Sequence, residues 1–295
     1  MNIQWYPGHM TKTRRMMTEN ISLVDIVIEL LDARIPYSSK NPDIDKLAQN
    51  KFRIIILNKV DLADDQKTKK WADYFESKGY KVVLVNSVSG KGLKDITEFS
   101  RELMKEKLER LKQRGRIFVP IRAMIAGIPN VGKSTLINKF VGKATAKTGD
   151  KPGVTRGKQW VKIKKDFELL DTPGILWPKF DDQRVGMKLA FTGAVNDDIL
   201  DSYTLAVNLI SYLRELYPNA IKERYKIDFD ENVSSDDILM KIGEARGFKI
   251  KGGEIDLDRS ANILIDEFRG CKLGKISLES PEDIEELEKT EQSEK

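Results

Sequence analysis

Four short apolar runs, "VDIVIELLDAR", "FRIIILNKVD", "YKVVLVNSVSG" and "RAMIAG", punctuate the first 130 residues, with polar, helix-patterned stretches between them. Continuous Val/Ile/Leu runs of this length belong to strands buried on both faces. Helical crossovers between such strands demand a parallel sheet with helices on both sides. The helices are expected over residues 43–49, 70–78 and 93–114. After "RAMIAG" come a helix, "STLINKFV", and two strands, "QWVKIKK" and "DFELLDTPG", read as a hairpin-related pair. The result is an α/β domain with a mostly parallel sheet of about six strands, doubly wound.

From about residue 181 the pattern is helical only. Leu205, Ala206, Leu209, Ile210, Leu213, Leu216 and Tyr217 form one apolar stripe that stops before Pro218. "SSDDILMKIGEARGF" opens with serine and aspartate and closes with glycine, as a capped helix should. The final "ESPEDIEELEKTEQSEK" is acidic and nearly devoid of large apolar residues, so it reads as a frayed tail. The expected division is an N-terminal arm (1–20), the α/β domain (21–178), a smaller all-α domain (179–278) and an acidic tail (279–295).

No apolar run approaches the ~20 residues of a membrane span, and the N-terminus lacks the apolar core of a signal peptide. A cytoplasmic protein is therefore expected. The single cysteine, Cys271, follows Ala261, Leu264 and Phe268 at helical spacing and is expected in the core. With one histidine, His9, beside it, no ordinary zinc site can be assembled. Charge is unevenly spread. Residues 1–180 carry 35 Lys/Arg against 20 Asp/Glu, and the remainder 16 against 26. A basic front half suits a nucleic-acid partner through phosphate neutralisation, although lysines also serve a merely soluble surface. The stretches 101–122 (eight basic, three acidic) and 139–165 (nine basic, one acidic) concentrate it.

"GIPNVGKST" follows a strand and opens a helix, the context a phosphate-binding loop requires. In such a loop Asn130, Val131, Gly132 and Lys133 turn backbone N–H groups toward phosphates. Lys133 adds a point charge, and Ser134, followed by Thr135, offers a hydroxyl to magnesium. "DTPG" ends a later strand: Asp171 there can hold the magnesium shell, and the Gly174 N–H can meet a terminal phosphate. Between them "KTGDKPGVTRGK" supplies Thr155 as a second magnesium ligand. "NKVD" (Asn58, Lys59, Val60, Asp61) ends the second strand. A carboxylate accepts two hydrogen bonds from guanine N1–H and N2–H₂, and adenine offers no such donor pair. "NSVSG", with Asn86 and Ser87, fits the loop that backs the base. The set implies a GTP/GDP site with Mg2+.

The order of these motifs is reversed from that of ordinary GTPases, since "NKVD" and "NSVSG" precede the phosphate loop. A circular permutation explains this, because domain termini often lie close together. With "QWYPGHM", "DARIP", "AKTGDKPGVT" and "LLDTPGILWPKF" added, nearly the whole chain resembles the circularly permuted GTPases, and within them the bacterial factors of large-subunit assembly. That resemblance implies GTP hydrolysis in late maturation of the large ribosomal subunit, with rRNA and ribosomal proteins as partners and a monomer in solution. It also implies a hydrophobic residue, here Ile175, where many GTPases orient water with glutamine. His9 matches a histidine proposed to assist. Taken from the sequence, His9 is either that catalytic group, carried on a flexible N-terminal arm, or a surface histidine in an N-terminal turn. Asn130 either recruits a potassium ion, as in stimulated relatives, or only caps the turn. The competing function is an RNA-binding module with a structural, unhydrolysed GTP.

Overall fold

The apolar runs pair as expected. A computed structural model describes residues 8–116, 118–142, 159–180 and 182–284. Its strands are β1 (Ile26–Asp32), β2 (Phe52–Asn58), β3 (Lys81–Val85), β4 (Ile121–Gly127), β5 (Gln159–Lys164) and β6 (Phe167–Asp171). They form one sheet in the order β3-β2-β1-β4-β6-β5, all parallel except the antiparallel edge pair β5–β6. The register sets Asp32 opposite Asn58, Asn58 opposite Val85, Leu30 opposite Gly127 and Ile125 opposite Asp171. The "DARIP", "NKVD", "NSVSG", "GIPNVGKST" and "DTPG" motifs therefore leave from one edge of the sheet, the carboxyl ends of its parallel strands. Ligands bind at that edge in open α/β sheets.

Helices α1 (Gly8–Asn20), α2 (Pro42–Leu47), α3 (Asp65–Ser77), α4 (Leu93–Gln113) and α5 (Lys133–Val141) accompany the sheet. Helix α3 begins five residues before the expected start because Asp64 caps it, its carboxylate accepting from the Gln66 and Lys67 N–H groups. Trp71 and Phe75 then turn inward against Ile55, Leu57 and Val82. Helices α6 (Gln183–Phe191), α7 (Ser202–Leu216), α8 (Pro218–Tyr225), α9 (Ser235–Arg246) and α10 (Leu257–Arg269) make the second domain. Leu205, Leu209 and Leu213 of α7, Leu239 and Ile242 of α9, and Leu264 and Phe268 of α10 are all buried. Pro218 opens α8 at its first turn, and Ser234 caps α9.

Three expectations need correction. Residues 8–20 are not a free arm. Met10, Thr13, Met17 and Asn20 recur at helical spacing and are buried, and Arg14 reaches Asp43 at 3.3 Å. The stripe escapes notice because methionine and threonine are weak markers of a core face. Cys271 is not a core residue of α10, which ends at Arg269. Its φ of +60° places it in the turn beyond, partly exposed. Residues 279–284 of the expected frayed tail are docked. The Trp71 indole N–H donates to the Glu279 carbonyl at 3.2 Å, and Ile284 joins the Trp71 and Phe75 cluster. The buried Glu279 carboxylate accepts from the Tyr37 N–H at 2.9 Å and from the Ser38 hydroxyl, and pairs with Lys188 at 3.3 Å.

This docking makes a prediction. Truncation after Leu278 exposes Trp71 and leaves the Tyr37 and Ser38 donors and the Lys188 ammonium without their acceptor. Losing a buried charged partner alone costs about 3 kcal/mol or more. The urea midpoint should fall clearly, with an unchanged slope; an unchanged midpoint would show the strap to be superficial.

Candidate active site

The phosphate loop is shaped by backbone that only certain residues tolerate. It runs from the end of β4 to the start of α5, with Asn130 at φ +55° and Gly132 at φ +104°. A Cβ on Gly132 would stand 2.4 Å from Asn58 Nδ2, so glycine there is required by close approach as well as by backbone angle. Gly174 is tied to the same loop, since a Cβ on it would lie 2.7 Å from Pro129 Cα. The structure thus brings the DTPG glycine directly against the phosphate loop.

Lys133 opens α5 and is buried, its ammonium donating to the carbonyls of Gly127 at 3.0 Å and Ile128 at 2.8 Å. Burial pulls its pKa down to about 8, against the opposing pull of Asp171. Ser134 and Thr135 follow on the first turn of α5, both half-buried, and Val131 is buried. Asp171 ends β6. Burial pushes its carboxyl up to about 6, with Lys133 and the Thr172 N–H opposing. Its Oδ1 is buried and has no hydrogen-bond partner among the described residues. An orphaned buried carboxylate oxygen beside a phosphate loop fits a divalent cation, which would restore the missing interaction. Asp171 and Ser134 are the residues that would hold magnesium, whose chemistry is to neutralise charge building on the phosphates. Thr155, expected as a further ligand, lies outside the described residues.

The base-reading loops are locked to the phosphate loop by one side chain. Asn58 Nδ2 donates to the Val131 carbonyl at 2.7 Å, and its Oδ1 accepts from the Ser87 hydroxyl at 2.7 Å and Ser87 N–H at 3.2 Å. Asn86 shapes the third loop, its Oδ1 accepting from the N–H groups of Val88 and Ser89, both at 2.9 Å. Lys59 takes φ +64°, and its ammonium donates to Asp32 Oδ2 at 2.9 Å. The Val60 N–H donates to the Val85 carbonyl at 3.4 Å. Asp61, three residues beyond Asn58, is exposed to solvent.

Sequence reading recognised "DARIP" only as a resemblance, and the structure supplies its physical role. Asp32 is buried and accepts from Arg34 Nε at 2.9 Å, Arg34 Nη2 at 2.7 Å and Lys59. Burial alone would raise the Asp32 carboxyl, but Arg34 and then Lys59 outweigh it and hold it far below the usual carboxylate range. Arg34 in turn lies over the Phe268 ring of α10, 5.6 Å from its centroid. Other contributors gave no local signal. Ser277 accepts from the Asp64 N–H at 3.1 Å, and the Leu62 carbonyl accepts from the Ile276 N–H at 3.1 Å. These lie more than 200 residues from the loop they brace, and only the folded chain reveals them.

Two further residues have definite places. The Asn130 amide nitrogen donates to the Gly193 carbonyl at 2.8 Å, joining the phosphate loop to the turn after α6. Ile175 is buried, its N–H donating to the Gly127 carbonyl at 3.2 Å and its carbonyl accepting from Asn41 Nδ2 at 3.2 Å. The residue after the DTPG glycine is a core residue, and an alkyl side chain offers an attacking water no hydrogen bond. His9 falls in the first turn of α1, and its side chain lies outside the described residues.

Comparison with known proteins agrees with this geometry. A family model described as 50S ribosome-binding GTPase matches residues 122–231. The match starts in the strand before the phosphate loop and leaves "NKVD" outside, as the permuted order requires. A protein named ribosome biogenesis GTPase A from Bacillus cereus is 48% identical over 99% of this chain and its own full length. The protein of the same name from Thermotoga maritima is 32% identical over 96% of both chains. Two solved structures share the fold. A GDP-bound YlqF superposes with a TM-score of 0.66 at 27% identity, covering 90% of this chain and 99% of that one. GNP-bound YlqF from T. maritima gives 0.62 at 28%, covering 92% and 99%.

Two predictions belong to this site. The depressed Asp32 carboxyl contributes stability that is fully present above the unfolded carboxyl value of about 4 and is lost as pH falls through the lower folded value. Asp32→Asn strands Arg34 and should cost about 3–5 kcal/mol at pH 7. The gap to the parent should narrow in urea titrations below pH 4, and a pH-independent gap would contradict the ion-pair account. For base choice, Asp61→Asn should weaken GTP binding sharply and raise relative affinity for xanthosine nucleotides. Calorimetry showing unchanged GTP affinity would remove Asp61 from the base site.

Proposed function

This chain belongs to the ribosome biogenesis GTPase A family and is a GTPase of ribosome assembly; on that premise we propose that it acts on a late precursor of the large subunit. In this reading it docks on rRNA and ribosomal proteins in its GTP state, as a cytoplasmic monomer, and hydrolyses GTP faster once docked. No helix among the described residues is long and apolar enough to cross a membrane. The observation that carries the reading is the convergence at one sheet edge of Lys133, Asp171, Gly174 and the Asn58-locked base loops. A passive module that used GTP only as filler would need neither the buried Lys133 nor the orphaned Asp171 oxygen.

Within the site, Lys133 and the loop N–H groups hold the phosphates, and Asp61 selects guanine. Gly174 presents its N–H to the terminal phosphate. Because Ile175 is buried, water must be positioned by a group from elsewhere, and we assign this to His9. Helix α1 supports the assignment: Arg14 pairs with Asp43, two residues from Asn41, whose side chain holds the Ile175 carbonyl. The first turn of α1 thus belongs to a helix anchored beside the segment that follows DTPG. Asn130, whose nitrogen donates to the Gly193 carbonyl, carries a side-chain amide oxygen of the kind that ligates potassium.

The test is co-sedimentation with large and small subunits in a non-hydrolysable GTP analogue, paired with multiple-turnover hydrolysis in potassium and in sodium. Retention by large-subunit particles and stimulated turnover are expected, faster in potassium. His9→Ala should keep GTP affinity and particle binding but lose most of the stimulated rate. Retention by small subunits alone would overturn the partner, and full stimulation of His9→Ala would leave α1 as a docking element.

A further inference from the structure

The β5 edge of the sheet, which pairs with no further strand among the described residues, carries an exposed patch of rings and lysines. Phe118, just before β4, is 59% exposed, and Trp160 on β5 is 38% exposed. An open groove of about 470 Å³ is lined by Phe118, Lys162, Ile163, Lys164 and Lys165. Arg122 lies over the Trp160 ring, 5.3 Å from its centroid. The acidic side chains nearby are already engaged, Glu168 by Arg122 at 3.2 Å and Asp166 by Arg101 at 2.9 Å. Lys164 donates to Thr97 at 3.4 Å, while Lys162 and Lys165 form no ion pair among the described residues.

One ordinary explanation is that lysines guard an edge strand against pairing with another chain. That accounts for Lys162 and Lys165 but not for Phe118 and Trp160, which increase the hazard such lysines would suppress. Protein interfaces are depleted in lysine at their centres, whereas this groove is walled by it. Exposed rings interleaved with ammonium groups match a nucleic-acid strand, whose bases stack on aromatic faces while its phosphates meet the lysines. Duplex RNA keeps its bases stacked internally and has no face to offer, so the matching form is single-stranded or looped RNA.

We propose that the β5 edge is a binding surface for single-stranded or looped RNA, with bases stacked on Phe118 and Trp160 and phosphates held by Lys162 and Lys165. This rests on the reading of the chain as a factor that docks on rRNA, and it assigns the surface that takes the unpaired strand.

The full chain would be titrated against a labelled oligouridylate and a labelled RNA duplex across a salt series, and sedimented with large-subunit particles. Phe118→Ala and Trp160→Ala should each weaken oligouridylate binding about ten-fold, with Trp160→Tyr restoring most of it. Lys162→Gln with Lys165→Gln should flatten the log–log salt slope by about 1.4, at about 0.7 per phosphate contact. GTP affinity and unstimulated hydrolysis should stay at parental values in all variants, which also reports that they fold. Parental oligouridylate binding by the ring variants would overturn the proposal, as would a parent that prefers duplex. Loss of particle binding without loss of oligouridylate binding would also overturn it and assign the patch to a ribosomal protein. Failure of the parent to sediment with any particle while the oligouridylate results hold would instead sink the assembly reading and leave this surface standing.

Discussion

One buried amide holds the nucleotide site together. Asn58 gives its hydrogen to the Val131 carbonyl and takes two from Ser87, so three loops from three strands close on a single side chain. Each of those groups is buried, and each left unpaired would cost about 1–3 kcal/mol. The register of β1, β2 and β3 brings Asp32, Asn58 and Val85 level, so the lock follows from strand pairing. It does not depend on chain order. That is why a permutation that moves the phosphate loop behind the base-reading loops leaves the site intact: the sheet edge defines it, and the connections can be cut and rejoined elsewhere.

The permutation does change what is attached to the site. The chain leaves DTPG directly into α6 and the helical domain, and that domain then returns to both halves of the nucleotide site. On the phosphate side, Arg269 holds the carbonyls of Ala190 at 2.8 Å and Phe191 at 3.0 Å and pairs with Asp197 at 2.7 Å. It thereby fixes the turn whose Gly193 carbonyl takes the Asn130 amide. On the base side, Phe268 packs under Arg34, and the strap beyond α10 ties Ile276 to Leu62 and Ser277 to Asp64. The end of α10 is therefore the junction of two short chains of contacts, one ending at each half of the site.

The sheet, its edge hairpin and the helical domain were legible because their signals are local: β-branched runs, capping residues and the 3.6-residue stripe of α7. The places of "NKVD", "NSVSG", "GIPNVGKST" and "DTPG" are legible because each directly follows an apolar strand run. What stayed hidden was long-range. Nothing near Ser277 or Glu279 in the sequence says that they brace loops more than 200 residues away, and an acidic composition concealed that Ile284 packs on Trp71. Asp32 and Arg34 are two residues apart, yet their pairing becomes meaningful only when β1 and β2 are adjacent and Lys59 arrives to share the carboxylate. Cys271 keeps the helical spacing of Ala261, Leu264 and Phe268, yet α10 ends at Arg269 and the period ceases to mean burial there.

The burial of Ile175 links the fold to the handling of the attacking water. A glutamine after DTPG can swing toward a terminal phosphate because its chain segment is exposed. Here the segment is pinned on both sides, by the Gly127 carbonyl and by Asn41, and its side chain is part of the core. Releasing it would expose a full-sized apolar side chain, at about 1.5–3 kcal/mol, and leave buried polar groups unpaired as well. The segment after DTPG therefore offers the attacking water no side chain of its own. The cheapest missing piece is a positioning group supplied from outside the core, and its entropy cost can be met by the binding energy of a large partner. In the reading proposed above that group is His9, and the packing of Ile175, with the phosphate loop unchanged, is what makes it necessary.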